Sequence, residues 1–177
     1  GEYRTGLWGD GLTGQTSRDQ VYQNQIPTNH YFSDWTELYT TINDANLIIK
    51  KVPIIHFNSE NTKNEVLSNA YFVRAFCYYW IGRIWGDAPL LLEGYESDSQ
   101  EGLYPQRTSA ERIFEQIGND IDKAYKIIPD GIVKNRASKA SIAMLKADYD
   151  LWMYKVRKSG DNYLQDANEK IQSVLTN

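Results

Sequence analysis

The chain has one cysteine, two histidines and five prolines in 177 residues. A single thiol, Cys77, closes no internal disulfide and cannot build a zinc site alone. His30 and His56 fall in different loop-like stretches without H-x-H or H-x-x-x-H spacing, so the sequence holds no ligand set for a transition metal and asks for no cofactor. No apolar run approaches the roughly 20 residues of a membrane-spanning helix. Positive charge is also scarce: 19 Lys and Arg stand against 23 Asp and Glu, for a net charge of −4. No Lys/Arg cluster offers the patch that neutralises a phosphate backbone, which argues against a nucleic-acid partner.

Leu, Ile, Val and Phe make up about 23% of the residues, above the roughly 20% below which charged chains stay disordered. The chain can therefore bury a core. Its marked excess is aromatic: 13 Tyr, 5 Trp and 5 Phe, or 13%. Rings on apolar helical stripes read as core. Rings away from those stripes are candidates for a binding surface.

The first 32 residues read as an irregular segment, with Gly6, Gly9, Gly11 and Gly14 close together and no apolar period. From residue 33 the period is helical. Trp35, Leu38, Tyr39, Ile42, Ala45 and Ile49 predict a helix over 34–51, opened by Asp34 and Glu37 and stopped before Pro53. A second, capped by Ser59 or Asn61, ends at Gly86 and carries Val66, Ala70, Val73, Cys77, Trp80, Ile81 and Ile84 on its stripe. Residues 87–107 read as a long loop in which Leu90 to Leu92 pair briefly as a strand. Thr108 and Glu111 predict a capping box for a third helix ending before Pro129, Ser138 caps a fourth over 139–157, and a fifth follows Asp161. The class is mostly α. The helix starts near 108, 138 and 161 and the small residues Ala140, Ala143 and Ala147 match stacked helical hairpins with long loops. An apolar stripe reaching Val174 and Leu175 leads us to expect that residues 1–177 are the N-terminal portion of a longer chain.

Few residues fit a catalytic pattern. Cys77, mid-helix on an apolar face, reads as an inert thiol. The glycines at 6–14 lack the G-K-[ST] ending of a phosphate cradle. Asp120/Asp122 and Asp148/Asp150 diverge at i,i+2 spacing and read as solvated surface or structural ion pairs rather than a hydrolase acid and base. Asp120 is the exception, since it falls on the apolar stripe; a buried carboxylate needs a partner, and Arg74 is the candidate. Asn46, between Ile42 and Ile49, reads as a buried amide bonded to backbone, with the connector to the next helix as the expected acceptor.

Val73-Arg74-Ala75-Phe76-Cys77-Tyr78-Tyr79-Trp80 followed by Trp85-Gly86-Asp87-Ala88-Pro89-Leu90 resembles the RAF-x-Y…WGD-x-PL signature of the SusD/RagB family. Trp35…Tyr39…Ile42…Ala45-Asn46 is similar to that family's first helix, Ile117…Asp120-Ile121…Ala124 to a later one, and Arg136-Ala137-Ser138-Lys139-Ala140 to another. The four pieces occur in order over residues 35 to about 151. The resemblance implies a tetratricopeptide-like scaffold and non-catalytic glycan binding at the outer-membrane surface. It further implies an N-terminal lipid anchor not present in this chain and a TonB-dependent, SusC-like transporter as partner. A helical-repeat scaffold that binds protein without sugar is the alternative; a glycosidase is a third reading, which the carboxylate spacing opposes. The expected glycan contacts are Trp8, Asp10, Arg18, Tyr22 and Asn24, because these aromatic and polar groups lie in the irregular N-terminal stretch where no helical stripe accounts for them.

Overall fold

The computed structural model describes residues 20, 21, 23, 25–97, 99–131 and 135–176. The chain divides into two units, Gly1–Glu37 and Leu38–Asn177. In the first, Tyr31–Ser33 forms a 3-10 turn, and the Asp34 carboxylate accepts from the Thr36 N–H at 2.9 Å at the entry to helix α1, Thr36–Lys51.

The second unit is mostly α. Helix α2, Glu60–Ile84, starts at Ser59, whose hydroxyl accepts from the Thr62 N–H. It stops where Gly86 takes a φ of +73°, a left-handed turn that favours glycine. The two-residue strands β1, Ala88–Pro89, and β2, Arg107–Thr108, then pair antiparallel. Pairing thus falls just before the Leu90–Leu92 run expected to form it, because backbone at Leu91 bonds to side chains instead. Helix α3, Ala110–Ile127, also begins differently from expectation. Its N-cap is Ser109 rather than Thr108, with no cap bond from its own side chain; the Asp87 carboxylate accepts from the Ala110 N–H at 2.8 Å. The acid of the W-G-D run therefore caps the next helix across the loop. Helix α4, Lys139–Lys155, opens with reciprocal bonds between Ser138 and Ser141, and α5 spans Asn162–Leu175.

Helix α2 packs along α3, α4 along α5, and α3 against α4, giving two stacked hairpins. Ala75, Tyr78, Ile81, Ile113, Ile117, Ile121, Ala124 and Ile142 have no solvent exposure. Polar tips stitch the layers: Ser68 Oγ donates to Ala124 O at 2.8 Å, Tyr79 Oη to Asp148 O at 3.0 Å and Tyr149 Oη to Phe114 O at 3.0 Å. Of the α2 stripe, Ala70, Cys77 and Ile81 are buried, but Trp80 and Ile84 are exposed. Trp80 and Phe76 sit on the solvent side with ring centroids 6.3 Å apart, since the small residues Ala75 and Gly82 face the buried side instead. Burial pushes the Cys77 thiol up to about 11, as expected of an inert cysteine. On α5 only Ala167 of the expected face is buried.

Asp148 and Asp150 separate. Asp148 is exposed beside Arg83, whereas Asp150 is fully buried and accepts from Lys146 Nζ, 2.7 Å from Oδ2. Of the two alternatives read from the sequence, the structural ion pair therefore holds for Asp150 and the solvated surface does not. Burial, offset in part by Lys146, holds its carboxyl above the usual range near ~3.9. A raised acid contributes stability that is complete below its unfolded value and is lost as pH rises through the folded one. The stability of the native chain minus that of Asp150→Asn, from urea melts at stepped pH, should therefore fall as pH climbs from about 3.5 toward neutrality. A difference that rises with pH contradicts this assignment.

Candidate functional site

The structure brings Arg74, Asp120 and Asn46 together. Arg74 Nε and Nη2 donate to the two carboxylate oxygens of Asp120 at 2.8 and 2.7 Å, and Nη1 donates to Asn46 Oδ1 at 2.8 Å. Gln116 Nε2 donates to Asp120 Oδ1 at 2.9 Å. All three core partners are buried. This bidentate arrangement, with a partner for each guanidinium nitrogen, joins α1, α2 and α3 at one point.

Asn46 passes the linkage on. Its amide nitrogen donates to Leu91 O at 3.0 Å and Glu93 O at 3.1 Å, so its backbone partner is the loop after α2 rather than the α1–α2 connector. The same loop is held at neighbouring points. Tyr78 Oη donates to Leu91 O and accepts from Leu91 N–H, and Tyr39 Oη donates to Pro89 O at 2.6 Å. Asn43 exchanges a reciprocal pair with the Tyr95 backbone at 2.8 and 3.0 Å, as a strand neighbour would. Gly94 lies so close to α1 that a Cβ would stand 2.8 Å from the Leu47 backbone nitrogen. Beyond Tyr95 the loop reaches solvent, where Tyr104 is exposed.

Trp8, Asp10, Arg18, Tyr22 and Asn24 lie outside the described residues. The described part of the same stretch shows a feature that residue periodicity did not single out. His30, Tyr31 and Phe32 cluster at the 3-10 turn, with centroids 4.5 Å apart for His30–Tyr31 and 4.1 Å for Tyr31–Phe32. His30 is buried, while Tyr31 and Phe32 are 58% and 42% exposed. The run Tyr31-Phe32 off any helical stripe was the available signal. A separate cleft of about 310 Å³ opens between α1 and α2, lined by the aliphatic Ala45, Ile48, Val66, Ala70 and Val73 together with Thr41, Asp44, Asn69 and Arg136. No group of three or more His, Cys, Asp or Glu residues that could hold a metal occurs among the described residues.

The chain has relatives among known proteins. Residues 6–147 match a SusD-like family described as starch-binding and associating with the outer membrane, and the chain belongs to that family. SusD-like protein P38 of Formosa agariphila is 28% identical over 90% of this chain and 29% of its own length. A SusD superfamily protein from Bacteroides vulgatus, solved by crystallography, superposes with a TM-score of 0.79 at 25% identity, over 90% of this chain and 33% of that one. A protein crystallised with xylogluco-oligosaccharide shares the fold, with a TM-score of 0.77 at 23% identity over 90% of this chain and 32% of its own. The chain thus spans about three tenths of the length of the curated relative.

Removing one member of the buried pair strands the other. Arg74→Leu or Asp120→Leu alone should cost about 3 to 5 kcal/mol of unfolding free energy, and the double substitution should recover part of that loss. Denaturant melts of the four proteins close the cycle; two additive effects under about 0.5 kcal/mol each would show that the pair carries no coupling.

Proposed function

We propose that this chain contributes to a non-catalytic glycan-binding lipoprotein at the outer-membrane surface, which delivers oligosaccharide to a TonB-dependent, SusC-like transporter. The observation that carries the reading is the family match over residues 6–147. The crystallised relative holding xylogluco-oligosaccharide supports sugar as the ligand class. The chemistry of the chain is compatible with it: a pyranose presents an apolar face that stacks on aromatic rings and hydroxyls that bond carboxylates and amides. The buried carboxylates among the described residues, Asp120 and Asp150, are each paired with a cation as structural groups. The lipid anchor, the transporter and the surface location rest on the family resemblance.

Trp8, Asp10, Arg18, Tyr22 and Asn24 remain the proposed glycan contacts in the N-terminal stretch. A scaffold for protein contacts is the second reading, favoured by the exposed Phe76 and Trp80 on α2. Isothermal titration against neutral and acidic oligosaccharides separates the two, and a reducing-sugar assay checks for hydrolysis. Trp8→Ala should weaken glycan binding by about 1 to 3 kcal/mol with little change in Tm. Lost stability with unaltered affinity would instead assign Trp8 to packing.

A further inference from the structure

The geometry points to Tyr31 and Phe32 as a preformed stacking platform for a neutral oligosaccharide; this rests on the glycan-binding reading and gives it a specific surface. The segment Pro27–Thr36 has no apolar period that would send two adjacent large rings into a core, and both rings are in fact exposed. What distinguishes them from ordinary exposed rings is how firmly the backbone beneath them is held. His30 N–H donates to Pro27 O at 3.0 Å, Ser33 N–H to His30 O at 2.7 Å and Asp34 N–H to Tyr31 O at 3.3 Å. The side chains add two more ties: His30 Nδ1 accepts from the Phe32 N–H at 3.0 Å, and Ser33 Oγ donates to Pro27 O at 2.9 Å. Each bond spans only a few residues, so the turn is shaped by its own sequence.

The imidazole of His30, itself buried, lies against Tyr31 with an interplanar angle of 24°. The buried imidazole thereby backs a tyrosine ring that, with Phe32 packed beside it, stays 58% exposed. Rings held this way lose little further freedom on binding, which is the main cost that makes loose aromatic side chains poor contacts. Polar groups flank the rings within the same turn: Thr28, Asn29 and Asp34 are exposed, and the Tyr31 hydroxyl adds a donor. Hydrogen bonds from Thr36, side chain before backbone, hold the Asp34 carboxyl below its usual range, so it is an ionised acceptor at neutral pH. An anionic acceptor beside the stack suits sugar hydroxyls and repels uronate or sulfate groups, hence the assignment to neutral glycans. On α2 the exposed Phe76 and Trp80 have a cation rather than an acid beside them, the Arg83 guanidinium lying 5.4 Å from the Trp80 centroid. The adjacent Arg83 guanidinium is already stacked on Trp152 at 4.4 Å and on Tyr79 at 5.0 Å.

The test is calorimetric titration of the 177-residue chain with malto-oligosaccharide, xylogluco-oligosaccharide and oligogalacturonate. We expect the native chain to bind at least one neutral probe, and Tyr31→Ala/Phe32→Ala to lose about tenfold or more in affinity with an unchanged melting temperature. Tyr31→Phe, which keeps the ring, should retain most of the binding. Neutral binding that survives the double alanine substitution overturns the platform and leaves the glycan-binding reading intact. Equal or tighter binding of oligogalacturonate overturns the neutral assignment. Absence of binding to all three probes by the native chain counts against both the platform and the reading beneath it. Should the alanine variant lose only self-association seen by light scattering, the turn is a protein contact and the inference fails.

Discussion

The structure depends on satisfying one buried guanidinium. An arginine side chain carries five N–H donors in a fixed fork and does not give up its charge, so burying Arg74 among apolar helices is tolerable only if acceptors converge on it. Asp120 supplies the charge and two of the acceptors, and Asn46 supplies a third. Those partners come from different helices, so the position of α1 and α3 relative to α2 follows from the geometry of a single planar group. An apolar trio of similar volume would pack as densely but would tolerate sliding. The bidentate pair does not, because a shift along either helix breaks two charge-assisted bonds between buried groups.

Asn46 extends this constraint from the helices to the loop. An amide has both an acceptor and donors, and here the oxygen is taken by Arg74 while the nitrogen serves two carbonyls of the loop after α2. Tyr39, Asn43 and Tyr78 continue the same pattern along α1 and α2, taking the place of the strand partner that the loop lacks once β1 ends at Pro89. At the loop's base, Asp87 accepts from the first amide of α3, and its backbone carbonyl accepts from Arg107 at 2.6 Å. The loop is long but its base is held by side chains on both flanks, which satisfies backbone groups that a buried loop would leave unpaired.

This has a bearing on what the family signature records. Tyr39, Asn46, Arg74, Gly86, Asp87 and Asp120 all belong to the matching motifs, and in the structure each one shapes or bonds the scaffold. The groups we propose for stacking a sugar lie outside those motifs, on the turn at Tyr31 and Phe32 and in the N-terminal stretch that precedes it in sequence. The shared signature identifies the scaffold; on the proposed reading, the choice of ligand falls to side chains that the signature does not specify.

Helix positions were legible in the sequence because the information is local. Apolar period, Ser59 and Ser138 as caps, Gly86 and Pro129 as stops act within a few residues of where they stand, and they located five helices to within a residue or two. Arg74 and Asp120 were legible for a related reason: each charge interrupts an apolar stripe, and two such interruptions of opposite sign imply each other. Partner choice across the chain was not legible. That Asp87 rather than Thr108 caps α3, that Asn46 holds Leu91 and Glu93, and that Asp150 is buried with Lys146 all depend on which helix faces meet. Likewise Trp80 and Ile84 share a period with buried residues yet face solvent, because closeness at Ala75 and Gly82 decided which side of α2 receives α3. The sequence by itself determined where helices begin, where they end, which side chains required partners and, for Arg74 and Asp120, the pair itself; the tertiary structure alone decided the other partners, because hydrogen-bond geometry such as that of Asn46 with Leu91 is set by packing between segments 45 residues apart.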